Sequence, residues 1–286
     1  MNVSKLYKLS VLAWFIGILP FLYSKEESDG TITADQIMKR HIERNAVDAE
    51  TQFVTIVTVH GEGKVDRHAL FFATRKNNDR RYEYLIRVVS PKAQSGVSFL
   101  GKRNDDNQLQ RYLYLPAFGK PKRISSSDQS SRFLNSNFNY RDIIREDPQE
   151  YDYELLGENT IRGQEVYMLN ATQNSDGNEE PSAYAKRHLY IDRKQYNILK
   201  IDFFRQNDQQ KPSKTLNAYD YDSVLVDGET MRPRRAEMRD HENGTVSVMT
   251  VVRSEFNESI EENIFTLENL TSWNKEKKKS FLKHFN

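Results

Sequence analysis

RYLYLPAFGKPKRISSSDQSSRFLNSNFNYRDI, residues 111–143, is the stretch of this chain that says most about its fold. It begins as a strand, because Tyr112 and Tyr114 lie two residues apart and therefore share one face. Pro116 and residues 119–121 then end the strand. A basic step, a hydroxyl-rich loop and an aromatic run follow. The basic step contains Lys120, Lys122 and Arg123, and the aromatic run contains Phe133, Phe138 and Tyr140.

The order of these residues carries a resemblance to a known family. The specific letters are Tyr-Leu-Pro-Ala-x-Gly-Lys at 114–120, Arg-Ile at 123–124, Ser-Asp at 127–128 and Phe-x-x-Ser-x-Phe-x-Tyr-x-Asp at 133–142. This pattern resembles the LolA-like group of outer-membrane lipoprotein-sorting proteins, which are periplasmic carriers of lipid or lipid-modified cargo. In organisation the resemblance extends from about Asp35 to about Leu270. It implies a half-open β-barrel with a helical lid.

Composition limits the classes of function. The 286 residues, 37% of them hydrophobic, are enough to bury a large core. The formal charge of +1 argues against general nucleic-acid binding, which needs an excess of Lys and Arg. The absence of cysteine removes thiol catalysis, disulfides, thiolate metal sites and the acylated cysteine of a lipoprotein signal. The chain is therefore not expected to be lipid-anchored itself.

The first 24 residues are typical of an export signal. Lys5 and Lys8 supply positive charge, an apolar run covers residues 11–22, and Ser24 offers a cleavage site. The run is short for a bilayer span, although Leu22 stands where a small residue is usual, so a retained anchor is the alternative. We expect a signal peptide at 1–24, a single domain at 25–273 and a basic tail at 274–286.

An amphipathic helix is predicted over Ala34–Val47. Thr33 and Gln36 have the spacing of a capping box, and Ile37 and Ile42 fall on the apolar stripe. From residue 51 onward the hydrophobic pattern has period two, with turn signals between the runs, which predicts an antiparallel meander. Two dipeptides, Asp227-Gly228 and Asn243-Gly244, predict two-residue hairpin turns with positive φ at both residues.

A long meander must close on itself or be covered, because it otherwise leaves an open edge and an apolar face. The predicted helix offers cover, and a short helix near Tyr140–Arg145 offers more. The predicted fold class is therefore α+β, mainly β. It is a curved antiparallel sheet that forms a half-open β-barrel, covered by an N-terminal helix and short lid helices. The half-open barrel with its lid comes from the family resemblance.

The search for catalytic motifs is negative. None of the six histidines has paired-ligand spacing, and the sequence has no nucleophile elbow and no phosphate loop. The acidic pairs Asp105-Asp106 and Asp220/Asp222 are best explained as solvated surface. His41, on the helix stripe, is interpreted as a packed histidine in preference to a pH sensor. We therefore expect no enzyme activity, no cofactor and no metal.

Two interpretations of the aromatic residues stay open. Their rings pack a core beneath the helix, or they line a cavity in which Tyr hydroxyls serve a headgroup. Alternation alone does not say which face lies inside, and the resemblance favours a cavity. The predicted ligand-binding residues are Ile37, Ile42, Tyr82, Tyr84, Tyr112, Tyr114, Phe133, Phe138 and Tyr140, with Lys122 and Arg123 on a polar rim.

The basic residues also have two interpretations. Arginine suits phosphate or carboxylate ligands, because it donates two parallel hydrogen bonds. Alternatively, Arg132 and Arg141 pair with Asp128 and Asp142 and only hold the loop in shape.

The resemblance implies a monomeric periplasmic carrier of acylated lipoprotein or lipid, served by an inner-membrane exporter of the RND type. The alternative is an envelope sensor or interaction module on the same scaffold, which docks a membrane protein without moving lipid. An envelope enzyme is a third hypothesis, and it lacks a nucleophile–base arrangement. Carriers of this fold use a locking arginine against the lid, which no motif places in this sequence.

Overall fold

Thirteen antiparallel strands in one sheet make up most of the described chain. The structure is a computed structural model, and it describes residues 32–77, 81–104, 109–124, 131–143, 148–174, 184–225, 229–256, 260 and 262–271. The chain divides into two units, residues 1–32 and 33–286, and every element below belongs to the second. The predicted signal peptide and basic tail lie outside the described residues, so the domain boundaries stay predictions.

The strands pair in the order β6-β5-β4-β3-β2-β1-β13-β12-β11-β10-β9-β8-β7. Their bounds in chain order are β1 Ala49–Val59, β2 Val65–Lys76, β3 Tyr82–Ser90, β4 Ser98–Arg103, β5 Leu109–Tyr114, β6 Pro121–Arg123, β7 Tyr151–Ile161, β8 Gln164–Gln173, β9 Lys186–Asp192, β10 Ile198–Phe204, β11 Lys214–Leu225, β12 Glu229–Asp240 and β13 Val246–Phe256. The first and last strands pair along almost their full length, from Glu50 with Phe256 to Val59 with Val246. The predicted curved, half-open sheet is confirmed, and it does not close into a barrel.

The strand order explains where the later part of residues 111–143 lies. Strands β6 and β7 are consecutive in sequence, yet they form the two opposite edges of the sheet. The chain between them must therefore travel from one edge to the other. Residues 131–143 of this connection are called the crossing segment below. It contains single 3-10 turns at Phe133–Asn135 and Arg141–Ile143, where a short helix was predicted near Tyr140–Arg145.

Each face of the sheet has its own apolar core. On the inner face, Ile56, Ile86 and Phe99 pack with Phe133 and Tyr140 of the crossing segment. On the outer face, Phe71, Leu85 and Leu100 pack against the C-terminal residues Phe265 and Leu270. The short helix α2, Leu267–Thr271, supplies Leu270 to this outer core. The crossing segment and the C-terminal segment thus cover opposite faces of the same strands.

Helix α1 spans Ala34–Arg44 and packs against β7 and β12. The predicted capping box is confirmed, because Gln36 N–H donates to Thr33 Oγ1 at 3.2 Å and Thr33 N–H donates to Gln36 Oε1 at 3.0 Å. The helix ends at Arg44 and not at Val47. Asn45 leaves helical geometry at φ −103° and its side chain donates to the His41 carbonyl at 2.8 Å, which closes the last turn.

The predicted β12–β13 hairpin is present, but the prediction of a two-residue turn is wrong. Residues 241–245 connect the strands, and of the Asn243-Gly244 pair only Gly244 has positive φ, 64°. The carboxylate of Asp240 accepts the backbone N–H groups of Glu242 and Asn243 at 3.0 and 3.1 Å, which favours a longer loop. Strands β11 and β12 also pair as predicted, and the Asp227-Gly228 turn between them lies outside the described residues.

Candidate functional site

A cavity of about 360 Å³ lies between α1, the crossing segment and the inner face of the sheet. This main cavity has the volume of a small-molecule site and a wall that is mostly apolar. Its apolar lining residues are Met38, Ile42, Tyr82, Tyr151, Tyr153, Leu189, Ile198, Ile201, Phe203, Leu216 and Pro233. Its polar lining residues are His41, Asn45, Arg141, Asp142, Arg187 and Arg232.

Two further hollows share walls with the main cavity. A groove of about 410 Å³ runs along α1 and shares Met38, Ile42, Tyr151 and Tyr153 with it. A cavity of about 200 Å³ beneath β1–β3 and β12–β13 shares Arg232 and Pro233. The three volumes therefore adjoin one another from the helix groove to the middle of the sheet. Such an elongated space suits a long, narrow apolar ligand better than a compact one.

Helix α1 forms one wall of this space. Ile37 is completely buried, whereas Ile42 is 37% exposed and lines both the main cavity and the helix groove. Polar contacts hold the helix on the β9–β10 turn. The His41 imidazole bonds the Tyr196 carbonyl at 2.7 Å through Nδ1, and the side chains of Arg40 and Arg44 donate to the same turn. The helix is thus fixed by polar groups along its rim while its apolar side faces the cavity.

Arg232, on β12, fixes the end of the helix. Its guanidinium donates to the Asn45 carbonyl at 2.8 Å and to Asn45 Oδ1 at 2.9 Å. The Glu50 carboxylate lies 3.7 Å from the same guanidinium. Because the carbonyls at a helix C-terminus carry partial negative charge, a half-buried arginine is well suited to hold this end. Arg232 is thereby placed between the helix and the sheet.

Two other arginines lie at the cavity wall. Arg141 forms an ion pair with Glu150 at 2.9 Å. Arg187 lies over the ring of Tyr151, with its guanidinium carbon 4.2 Å from the centroid. Both groups border an apolar space, so each can meet the polar end of an amphiphilic ligand.

A buried hydrogen-bond network fixes the crossing segment to the sheet. The Asn137 side chain donates to the carbonyls of Met238 at 3.1 Å and Thr245 at 2.8 Å, and it accepts from the Thr245 hydroxyl at 2.8 Å. Its backbone N–H donates to Ser247 Oγ at 2.8 Å. Asn137 is completely buried, so these bonds replace all of its contacts with water.

Lys214 belongs to the same network. Its ammonium donates to the Asn137 carbonyl at 2.7 Å and to Asn139 Oδ1 at 3.1 Å. Burial lowers the pKa of Lys214, while the nearby Asp142 carboxylate acts in the opposite direction. The cation thus anchors the segment from beneath and does not open onto the cavity.

Asp240 makes this anchor sensitive to acid. Its buried carboxylate accepts bonds from Arg132 at 2.7 Å and from residues 242 and 243. Burial alone would raise the pKa of Asp240, but hydrogen bonds from Asn243 and Glu242 and the charge of Arg132 lower it overall. Such a group stabilises the fold above the unfolded pKa of Asp, about 4, and loses its contribution as pH falls through the lower folded value.

We expect Asp240→Asn to lower the free energy of unfolding at pH 7 by about 1–3 kcal/mol, because buried hydrogen bonds to a charged acceptor are lost. The difference from the unchanged protein should shrink as the pH falls below about 4, because Asp240 is then protonated in the unfolded chain before it is protonated in the folded one. Urea unfolding at several pH values measures the loss of stability at pH 7 and its change with pH. A difference that stays constant down to pH 2.5 would show that the Asp240 charge does not contribute.

The structure brings some of the predicted site residues together and separates others. Ile42 and Tyr82 line the main cavity, and Tyr84 lines the smaller one. Tyr112 and Tyr114 lie on the outer face, packed against the C-terminal segment. Ile37, Phe133 and Phe138 are buried in packing, and the ring of Tyr140 contacts Phe99 and Phe133. Lys122 and Arg123 are exposed on the edge strand β6.

Most of the cavity wall was missed by sequence reasoning. Tyr151, Tyr153, Leu189, Ile201 and Phe203 were visible as strand residues, yet nothing local showed that their strands curve beneath the helix. Arg187 and Arg232 belong to no motif. Leu189, Ile201 and Phe203 do share one parity on adjacent strands, which was the available signal.

In the described ranges, no group of three or more His, Asp or Glu side chains is placed to hold a metal ion. Among those same residues, no helix has the length and apolar character to cross a bilayer.

The fold of this chain is similar to that of known structures. Three solved structures share the fold. A domain described as an outer membrane lipoprotein-sorting protein from Vibrio parahaemolyticus is 22% identical at a TM-score of 0.73, covering 82% of this chain and 97% of that one. A DUF1329 family protein from Desulfovibrio piger is 20% identical at 0.73, covering 82% and 96%. A LolA superfamily protein from Nitrosomonas europaea is 22% identical at 0.66, covering 82% and 98%.

Residues 80–272 match the model of a protein family described as "Uncharacterized protein". The chain belongs to this family. Its fold is the LolA fold, and the resemblance seen in residues 111–143 is confirmed. A search among curated proteins found no match. At these identities the structural likeness establishes the LolA fold, and cargo and partners must be argued from the cavity.

Proposed function

We propose that this protein is a periplasmic carrier that holds the acyl chains of lipoproteins or lipids beneath helix α1. The observation that carries the proposal is the main cavity, an apolar space walled by a helix that polar rim contacts hold in place. The name of one similar structure, the outer membrane lipoprotein-sorting protein domain from Vibrio parahaemolyticus, supports the same class of cargo. The proposal includes no catalytic step. The apolar lining residues contact the acyl chain, and the polar ones hold the helix or meet the polar end of the ligand.

The energetics of acyl transfer require such a cavity. Burial of one methylene is worth about 0.8 kcal/mol, so a chain of roughly fifteen methylenes is worth about 12 kcal/mol. A carrier must offer comparable apolar surface and still release its cargo. In this protein, Met38 and Ile42 on the helix fill part of the space when it is empty. Displacement of the helix then offsets part of the cargo's affinity.

Arg232 is the proposed latch of this lid. We expect Arg232→Met to keep the aliphatic packing and remove both bonds to Asn45, which lowers the cost of opening by about 1–1.5 kcal/mol. Uptake of a fluorescent fatty acyl probe should then be about five- to tenfold faster, with tighter binding. The matched control is Arg239→Met, an exposed arginine on the same strand. Unchanged or slower uptake by Arg232→Met would remove Arg232 from the opening step.

Ile37 and Ile42 offer a paired test of the lid surface. Ile42→Asp places a carboxylate against the cavity, and we expect probe affinity to fall at least tenfold with a loss of stability below about 1 kcal/mol. Ile37→Asp buries the same group, and we expect it to lower stability by several kcal/mol. Probe titration and urea unfolding of both variants measure this. If Ile37→Asp and Ile42→Asp lowered stability equally, the whole apolar stripe of α1 would be ordinary hydrophobic core.

The direct test of carriage is probe uptake followed by transfer. Purified protein is loaded with a fluorescent fatty acyl probe and mixed with vesicles that carry a quencher. We expect saturable uptake in the absence of detergent, and quenching as the probe moves to the vesicles. A protein that takes up no probe at any concentration would contradict the proposal. We further propose that a membrane exporter of the RND type supplies or receives the cargo and that the carrier acts as a monomer.

A further inference from the structure

The tip of the β5–β6 hairpin presents an aromatic ring to solvent. Phe118 is 76% exposed, more than any other large hydrophobic side chain in the described chain. The turn that carries it is ordered by its backbone, since Phe118 N–H donates to the Leu115 carbonyl at 2.9 Å. Gly119 follows at φ 67°, a conformation that suits glycine. Covering this ring would remove apolar surface from water, which favours contact with an apolar partner.

Basic residues follow Phe118 closely in sequence. Lys120, Lys122 and Arg123 follow it and are exposed, and no acidic residue occurs in 109–124. Within the described residues, none of the three side chains forms an ion pair. The adjacent β3–β4 loop adds exposed Lys92 and also has no acid between residues 91 and 97. The pairing of Ser98 with Tyr114 places this loop beside the tip.

We propose that the β5–β6 tip docks this protein on an anionic lipid bilayer, with Phe118 inserted at the headgroup level and the cations against the lipid phosphates. Phenylalanine is among the apolar residues that bury at the boundary between headgroups and acyl chains when basic residues accompany them. Basic residues near an anionic bilayer each contribute about 1 kcal/mol, or a factor of about five. The combination of one apolar side chain and four cations fits a reversible surface contact, and not an anchor.

This inference gives Lys122 and Arg123 a role outside the cavity. Both lie on β6 at one edge of the sheet, and neither lines any of the three hollows. Docking therefore does not require that the cavity holds a ligand. If the proposed function is right, the docked membrane is the one that supplies or receives the cargo.

Vesicle co-sedimentation tests the docking surface. The exported protein, purified without detergent, is mixed with vesicles of 70% phosphatidylethanolamine and 30% phosphatidylglycerol, and with neutral phosphatidylcholine vesicles. We expect binding to the anionic vesicles that weakens as salt rises. Phe118→Ser should weaken it about tenfold. The triple change Lys120→Gln, Lys122→Gln and Arg123→Gln should weaken it at least twenty-five-fold and flatten the salt dependence.

Matched controls separate the tip from general effects. Val252→Ser changes an exposed hydrophobic residue on β13, and Lys211→Gln changes an exposed lysine between β10 and β11. Neither residue lines a hollow, and both variants should bind vesicles normally. All variants should keep acyl-probe uptake, so loss of docking and loss of carriage are distinguishable. Equal binding of the tip variants and the unchanged protein would overturn the proposal. Equal binding to neutral and anionic vesicles would also overturn it. A third set of vesicles, prepared from whole envelope membranes with their proteins, tests for a protein partner. Tip-dependent binding to these vesicles alone would overturn the proposal as well.

Discussion

Leu216→Trp is expected to lower the affinity for an acyl probe by about fiftyfold. Leu216 is a partly buried residue of β11 that lines the main cavity, close to Ile201 and Phe203. A tryptophan there occupies space meant for cargo and displaces roughly three methylenes, which at about 0.8 kcal/mol each corresponds to about 2.4 kcal/mol. Equilibrium titration with a fluorescent fatty acyl probe measures the change.

The matched control adds the same ring at a residue that lines none of the three hollows. Val252→Trp changes a side chain on β13 that is 49% exposed, and it should leave probe affinity within a factor of two. Overpacking is expected to destabilise Leu216→Trp by about 1–3 kcal/mol, so urea unfolding must show that the variant is folded at the titration temperature. A folded Leu216→Trp protein with unchanged affinity would show that the cargo lies elsewhere.

Asn137→Ala is expected to lower the free energy of unfolding by about 3–5 kcal/mol. The change removes the partner of two buried carbonyls, those of Met238 and Thr245, and of the Thr245 hydroxyl. Each buried polar group left without a partner costs about 1–3 kcal/mol. The crossing segment packs against the inner face of the sheet through Phe133 and Tyr140, so its release should also loosen the inner core.

Chemical unfolding compares Asn137→Ala with Asn159→Ala, a change at an exposed asparagine on the edge strand β7. The control should alter stability by less than about 0.5 kcal/mol. A cost below about 1 kcal/mol for Asn137→Ala would mean that water replaces the lost bonds, and that the network is not the anchor described above.

The sequence predicted the architecture better than it predicted the site. The capping box at Thr33, the period-two strands and the specific letters of residues 111–143 were enough for the helix, the meander and the fold class. Residues Phe133, Phe138 and Tyr140 were predicted to touch cargo, whereas the structure packs them as part of a crossing segment. The reason is topological, because no local pattern shows that β6 and β7 lie at opposite edges.

The tyrosines illustrate a second limit. A spacing of two shows that Tyr82 and Tyr84 share a face, and that Tyr112 and Tyr114 share a face, but it does not say which face. The structure places the first pair toward the cavities and the second beneath the C-terminal segment. Arg232 gave no signal at all, because its role depends on the place where α1 ends. Long-range geometry of this kind is absent from single-sequence spacing.

Native mass spectrometry of the protein, purified from an envelope extract without detergent, tests the central claim most directly. Solvent extraction of the same sample identifies any bound molecule. The carrier account predicts a bound acylated species that leaves the protein when liposomes are added. An empty chain that also fails to take up a fluorescent fatty acyl probe would contradict it, and the scaffold would then be a module that docks a membrane protein without moving lipid.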